Sequence, residues 1–178
     1  FHPYDRWGYA TMGRENDDRY LRYLIARLSA YRNVWWSMAN EYDLMIHNQE
    51  KRLTDFDRFL SICQQEDPHQ RLRGIHNWYN SEEHFYDHSQ ESVTHASLQT
   101  SQFYNAEKWR KAYGKPLLFD EMRYEGDVPS GWGNLSSQEM ASYFWRAGLS
   151  GGYGTHGDTF DNRADGTETR WWGKGGTL

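Results

Sequence analysis

The sequence has a single cysteine, Cys63, which excludes an internal disulfide and leaves the redox compartment open. No apolar run approaches the roughly 18 residues of a membrane span. Clusters of Lys and Arg are missing as well, and the formal net charge is -5. Neither nucleic acid nor a membrane is therefore an expected partner, and the acidic balance reads as a solvated surface. A secretory leader is lacking too. The chain opens at Phe1 in what reads as mid-domain, so the missing leader says nothing about export; an extracellular or periplasmic location is the working expectation. Aromatic residues are plentiful: 9 Trp, 13 Tyr and 8 Phe among 178 residues. That is more than a core of this size uses, so part of the set is expected on a binding surface, where flat apolar faces can stack on sugar rings. The length suits one domain with a real core.

Residues 1 to 16 carry Gly, Asp, Arg and aromatics without a period and read as a loop. Asp17 is expected to cap a helix whose apolar positions Leu21, Leu24, Ile25 and Leu28 fall at i, i+3, i+4 and i+7, ending near Arg32-Asn33. Val34 to Ala39 reads as a buried strand and Asn40 to Leu53 as a polar loop. Thr54 and Asp57 approximate a capping box for a helix with the stripe Phe56, Phe59, Leu60 and Cys63, stopped by Pro68. Cys63 lies on that stripe and is expected to pack. Strands follow at Leu72 to Asn77 and Val93 to Gln99, with a brief helix over Ser81 to His88 between them. Ala106 to Tyr113 reads as a helix closed by Gly114 and Pro116. Leu117 to Asp120 is the next strand. Ser136 and Glu139 form a capping box for a helix with Met140, Tyr143, Phe144 and Ala147 on its apolar face, ending at Gly148. Gly151 to His156 is a glycine-rich strand, where glycine suggests close approach of a backbone or a ligand. Ala164-Asp165-Gly166-Thr167 is a hairpin-turn candidate.

The strand ends near Asn40, Asn77, Gln99, Glu121 and His156 are spaced by roughly 22 to 37 residues, which brackets the unit of about 30 in a (β/α)8 barrel. Alternation of this kind favours a parallel sheet in an α/β fold. Five strands cannot close an eight-stranded barrel, so residues 1–178 are expected to be the C-terminal portion of a TIM barrel, about strands 4 to 8. The first three βα units, the N-terminal half of the same barrel, are the expected structural partner. Without them the open sheet edges predict that the fragment alone is insoluble, oligomeric or inactive.

Two of these strand ends deliver glutamates. Glu41 follows Val34-Trp35-Trp36-Ser37-Met38-Ala39-Asn40, and Glu121 follows Leu117-Leu118-Phe119-Asp120. A retaining glycosidase needs one carboxyl group protonated at rest and one ionised, about 5 to 5.5 Å apart. Their surroundings must separate the two pKa values, by burial of the acid and by donors around the nucleophile. Asn40 beside Glu41 and Arg123 near Glu121 are the expected donors.

Trp36-Ser37-Met38-Ala39-Asn40-Glu41 resembles the strand-four Asn-Glu motif of clan A glycoside hydrolases, and Lys115-Pro116-Leu117-Leu118-Phe119-Asp120-Glu121 resembles their strand-seven motif. More narrowly, Trp35 to Asp43, Thr155-His156-Gly157-Asp158 and Trp171-Trp172-Gly173-Lys174-Gly175-Gly176 resemble a bacterial group of glycoside hydrolases related to apiosidase-like enzymes. The resemblance implies a retaining O-glycoside hydrolase acting on a carbohydrate substrate, a polysaccharide or oligosaccharide. Glu41 would be the acid/base, Glu121 the nucleophile and Asn40 a donor to the sugar 2-hydroxyl. His76, Trp78, Gln99 and His156 would line the pocket. Many clan members end strand eight in Trp, where this chain has His156.

Other readings of the same residues stay open. A catalytically inactive carbohydrate-binding barrel would keep the aromatic cleft. No cofactor is expected, and no metal. His84 and His88, four apart, could share a helix face as zinc ligands do, yet the His-Glu-x-x-His pattern and a third ligand are missing. Asp161, Asp165 and Gly166 resemble a calcium loop in which Arg163 occupies a ligand position and no glutamate closes the loop.

Overall fold

A computed structural model describes residues 1–129, 131–161 and 170–172, with 160, 161 and 170–172 described through their backbone. The first of two packed units comprises Phe1–Ser97 with Ala112–Pro116; the second comprises Leu98–Lys111 with Leu117–Leu178.

In the first unit, helix α1 (Arg14–Leu28) starts three residues before Asp17, with Gly13 at its N-cap. Asp17 does not cap it. Its buried carboxylate meets Lys51 at 3.2 Å and Arg58 at 3.8 Å. Burial pushes that carboxyl up, against the opposing pull of the Lys51 hydrogen bond and charge. Leu21 and Ile25 are the buried part of the expected stripe, and the helix ends at Leu28 rather than Arg32. Helix α2 (Tyr42–His47) occupies what reads as a polar loop, because Tyr42, Asp43 and Met45 are buried. Helix α3 (Leu53–Glu66) buries Phe56, Phe59, Leu60, Ile62 and Cys63, each large apolar side chain contributing about 1.5–3 kcal/mol. Its cap lies two residues earlier than expected: the Arg52 N–H donates to Asp55 Oδ2 at 2.9 Å.

Strands β1 (Trp36–Ser37) and β2 (Arg73–Gly74) pair in parallel, Trp36 opposite Arg73 and Ser37 opposite Gly74. Hydrogen bonds from the Trp36 N–H to Leu72 O (2.7 Å), Met38 N–H to Gly74 O (3.0 Å) and His76 N–H to Ala39 O (3.2 Å) carry the alignment to the strand ends. Asp67 fastens α3 to this pair. Fully buried, it accepts from the Trp36 indole N–H at 3.1 Å, the Arg71 amide at 2.9 Å, the His69 amide at 3.2 Å and the Arg71 guanidinium. Burial works against its charge, but the Arg71 amide, Trp36 and His69 hydrogen bonds with the Arg71 charge hold the carboxyl below the usual range. The segment Ser81 to His88 forms only a 3-10 turn, Glu82–His84. Strand β3 (Ala96–Ser97) is set by the Ala96 N–H donating to Pro116 O at 2.9 Å.

Helix α4 (Ala106–Tyr113), assigned to the second unit as far as Lys111, buries Trp109. Strand β4 (Leu117–Phe119) pairs in parallel with β6 (Tyr153–Gly154), Phe119 opposite Gly154. The Leu98 N–H donates to Leu118 O on β4, 2.8 Å. Helix α5 (Ser137–Leu149) has the expected capping box: the Glu139 N–H donates to Ser136 Oγ at 3.3 Å and the Ser136 N–H to Glu139 Oε2 at 2.8 Å. Met140 and Ala147 face inward while Phe144 is exposed. Side chains pack closely on the glycines of the β6 segment: a Cβ on Gly154 would lie 2.9 Å from Met122 Cε, and one on Gly152 2.5 Å from a Phe119 ring carbon.

A further small sheet went unanticipated. Strand β5 (Glu125–Gly126) pairs in parallel with β7 (Asp158–Asp161), which pairs antiparallel with β8 (Arg170–Trp172). The turn candidate at 164–167 and the Gly173–Gly176 motif lie outside the described residues, as do Asp165 and Gly166. The architecture is thus mixed α/β with small parallel sheets, and no closed barrel forms among the described residues. No described helix is long and apolar enough to cross a membrane.

Candidate active site

Glu41 directly precedes α2 with φ 51 and ψ 57, a left-handed conformation that costs a non-glycine residue about 1–2 kcal/mol. The surrounding backbone enforces it. On one side of Glu41 the Ala39 carbonyl accepts from the His76 N–H at 3.2 Å; on the other the Tyr42 N–H donates to the His76 carbonyl at 2.9 Å. The chain between these two anchors must bulge, and Glu41 is in the bulge. Glu41 and His76 are both buried, and a carboxylate oxygen of one lies within 4.8 Å of a ring nitrogen of the other. Asn40 is half-buried, its N–H donating to Phe1 O at 3.2 Å.

Trp78, two residues beyond His76, is placed by a residue that sequence reasoning passed over. The buried Asp43 carboxylate accepts the Trp78 N–H on Oδ1 and the Tyr79 N–H on Oδ2, the latter at 3.0 Å. Its Oδ2 also lies 3.9 Å from His84 Nδ1.

In the second unit Gln99 and Glu121 meet. Gln99 Nε2 donates to Glu121 Oε1 at 3.1 Å, and the Trp132 indole N–H donates to the same oxygen at 2.8 Å. Arg123 does not take the expected role: its guanidinium hydrogen-bonds the Tyr143 hydroxyl at 3.3 Å and Asn134 Oδ1 at 2.9 Å, and its backbone φ is 90. Trp132, which stands between two glycines in a loop, was missed. That loop is internally tied, the Tyr124 N–H donating to Trp132 O at 2.9 Å and the Val128 N–H to Gly133 O at 3.2 Å. Thr159 Oγ1 adds a 2.6 Å bond to Gly133 O. His156 is paired with Glu125, at 3.2 Å between Nε2 and Oε2.

His84 and His88 do not share a helix face, because the 3-10 turn ends at Phe85 in extended backbone. His84 stacks on Tyr79, and His88 is buried edge-on against Tyr86 and Tyr113. A cleft of about 430 Å³ at the amino ends of β1 and β2, lined by Arg32, Asn33, Val34, Trp35, Arg71 and Leu72, contains none of the expected site residues.

Comparison with known families matches residues 3–160 to the apiosidase-like catalytic domain. Among solved structures, one similar chain is a "putative glycoside hydrolase" from Bacteroides vulgatus ATCC 8482. It is 36% identical with a TM-score of 0.87, and the match covers 100% of this chain and 34% of that one. This chain therefore spans about a third of the length of that relative. Comparison with curated proteins gives no match.

Proposed function

The chain belongs to the apiosidase-like catalytic-domain family, and from that premise we propose that it carries both catalytic carboxylates of a retaining O-glycoside hydrolase acting on oligosaccharide or polysaccharide. Glu41 is the acid/base and Glu121 the nucleophile. Asn40, His76, Trp78, Gln99 and His156 contact the sugar. The observation that carries this reading is the double donation of Gln99 and Trp132 onto Glu121 Oε1. A nucleophilic carboxylate has to be aimed, and two donors on one oxygen aim it.

In the first step the Glu41 carboxyl proton passes to the glycosidic oxygen as the C–O bond breaks. Glu121 bonds to the anomeric carbon, giving a covalent glycosyl-enzyme. In the second step Glu41, now a carboxylate, takes a proton from water, and the water oxygen displaces Glu121. Burial of Glu41 suits the group that must be protonated at rest. The strained backbone at that residue is the form of local cost that accumulates at working sites.

The parallel pairs β1/β2 and β4/β6 with their intervening helices correspond in this reading to part of strands 4 to 8 of a (β/α)8 barrel. The partner is the remaining βα units of that barrel. Exposed apolar groups on α5 and β6, namely Trp145 (72%), Leu149 (83%) and Tyr153 (68%), are the surface such a unit would cover.

The test uses the full-length protein on an aryl-glycoside panel. Glu121→Ala is expected to abolish hydrolysis, and azide to restore part of it as a glycosyl azide. The first-formed sugar, followed by NMR, should retain its anomeric configuration. An inverted first product would refute the double displacement; binding without turnover by the wild type would point to a carbohydrate-binding barrel instead.

A further inference from the structure

We infer that Trp78, Tyr79 and His84 form the subsite for the departing sugar, and that Asp43 is the positioning residue that holds it. This subsite presupposes Glu41 as the acid/base proposed above. The Trp78 and Tyr79 rings lie 4.3 Å apart at 58°, and Tyr79 stacks on His84 at 4.1 Å and 29°. The cluster is open to solvent: Trp78 is half-buried, Tyr79 is 37% exposed and the His84 side chain 37%. Flat faces edged by an indole N–H, a phenol and an imidazole match a pyranose, which offers C–H bonds on its faces and hydroxyls around its rim.

Consecutive aromatics at a strand end ordinarily have freedom to turn over. Here the backbone is stapled, because Asp43 accepts both the Trp78 and the Tyr79 amides and Asn77 Nδ2 donates to Tyr79 O at 2.8 Å. The Asp43 oxygen that takes the Tyr79 amide also lies 3.9 Å from His84 Nδ1, so the carboxylate that staples the Trp78–Tyr79 backbone sits beside the ring stacked on Tyr79. Position assigns the occupant. Asp43 is two residues from Glu41, and Trp78 is two residues from His76, which packs beside Glu41. A general acid touches the oxygen that leaves, so the sugar on the leaving side lies against the acid's own neighbours.

Full-length wild type is first screened on an array of plant and microbial oligosaccharides. The tightest binder and the glycosyl fluoride of its non-reducing portion serve as probes; the fluoride leaves without occupying the aromatic cluster. Tyr79→Ala should lower kcat/KM on the oligosaccharide about tenfold more than on the fluoride, with the difference carried in KM, the size expected for one lost stacking contact. Asp43→Asn, which keeps one of two acceptor oxygens, should shift the ratio in the same direction. Equal losses on the two probes would overturn the subsite and leave a structural role. So would an array with no bound glycan, or calorimetric affinity for the oligosaccharide unchanged by Tyr79→Ala. A wild type that binds oligosaccharide and cleaves neither probe would strike the hydrolase reading alone, with calorimetry still deciding the subsite.

Discussion

Replacing Trp132 by Phe keeps most of the ring volume and removes one donor, the indole N–H at 2.8 Å from Glu121 Oε1. A hydrogen bond to a charged group is worth about 1.5–3 kcal/mol, and the half-buried position of Trp132 reduces that to about 1–2 kcal/mol because water competes. With 1.36 kcal/mol per decade of rate, kcat/KM should fall by about 5- to 30-fold. The loss is partial because Gln99 still donates to the same oxygen at 3.1 Å. Adding Gln99→Ala should therefore cost more in the Trp132→Phe background than in the wild type, the non-additivity expected of groups sharing one partner. Initial rates on an aryl glycoside, beside a thermal melt showing unchanged stability, make the measurement. A change in kcat/KM of less than about twofold in the double variant would mean that neither donor aims Glu121, and the basis for assigning it as nucleophile would go.

Asp67→Asn should destabilise the first unit by about 3–5 kcal/mol, the cost of breaking a buried ion pair, which a thermal melt would read as about 6–20 °C. The same pair predicts a pH dependence. The folded pKa of Asp67 lies below its unfolded value of about 3.9, so its contribution is complete above that value and fades as the pH falls through the folded pKa. The melting curves of wild type and Asp67→Asn should therefore converge on acidification; a gap that stayed constant would show that the Asp67 charge is not involved. Glu41→Gly relieves the left-handed strain at φ 51 while adding unfolded-state entropy, for a net change of about 0 to +1 kcal/mol. It should melt no lower than wild type while losing hydrolysis of substrates with poor leaving groups, and a lower melting temperature would contradict the strain assignment.

Local features were legible from sequence wherever a few neighbouring residues complete the interaction. The Ser136–Glu139 box and the Phe56, Phe59, Leu60 and Cys63 stripe needed nothing beyond one or two helical turns, and both formed where spacing placed them. Features completed by distant residues were read differently. Asp17 has the chemistry of a cap, but Lys51 and Arg58 draw it into a buried ion pair, and the helix begins one turn earlier. The 40–53 segment looked polar because Glu41 and Asp43 are charged, yet the Trp78 and Tyr79 amides supply the partners that let Asp43 be buried at the start of a helix.

The two glutamates were visible in the sequence because an apolar run ending in an acid is a one-dimensional signal. Their immediate surroundings were not. Arg123, two residues from Glu121, turns away to Tyr143 and Asn134, while the donors to that carboxylate come from positions 99 and 132. A side chain's partner depends on backbone direction, and positive φ values at Glu41 and Arg123 redirect both in ways that residue order alone does not encode. Composition and periodicity marked candidate carboxylates at strand ends; folding decided what holds each of them in place, because hydrogen bonds between residues far apart in the chain exist only after the strands and loops that carry them have packed.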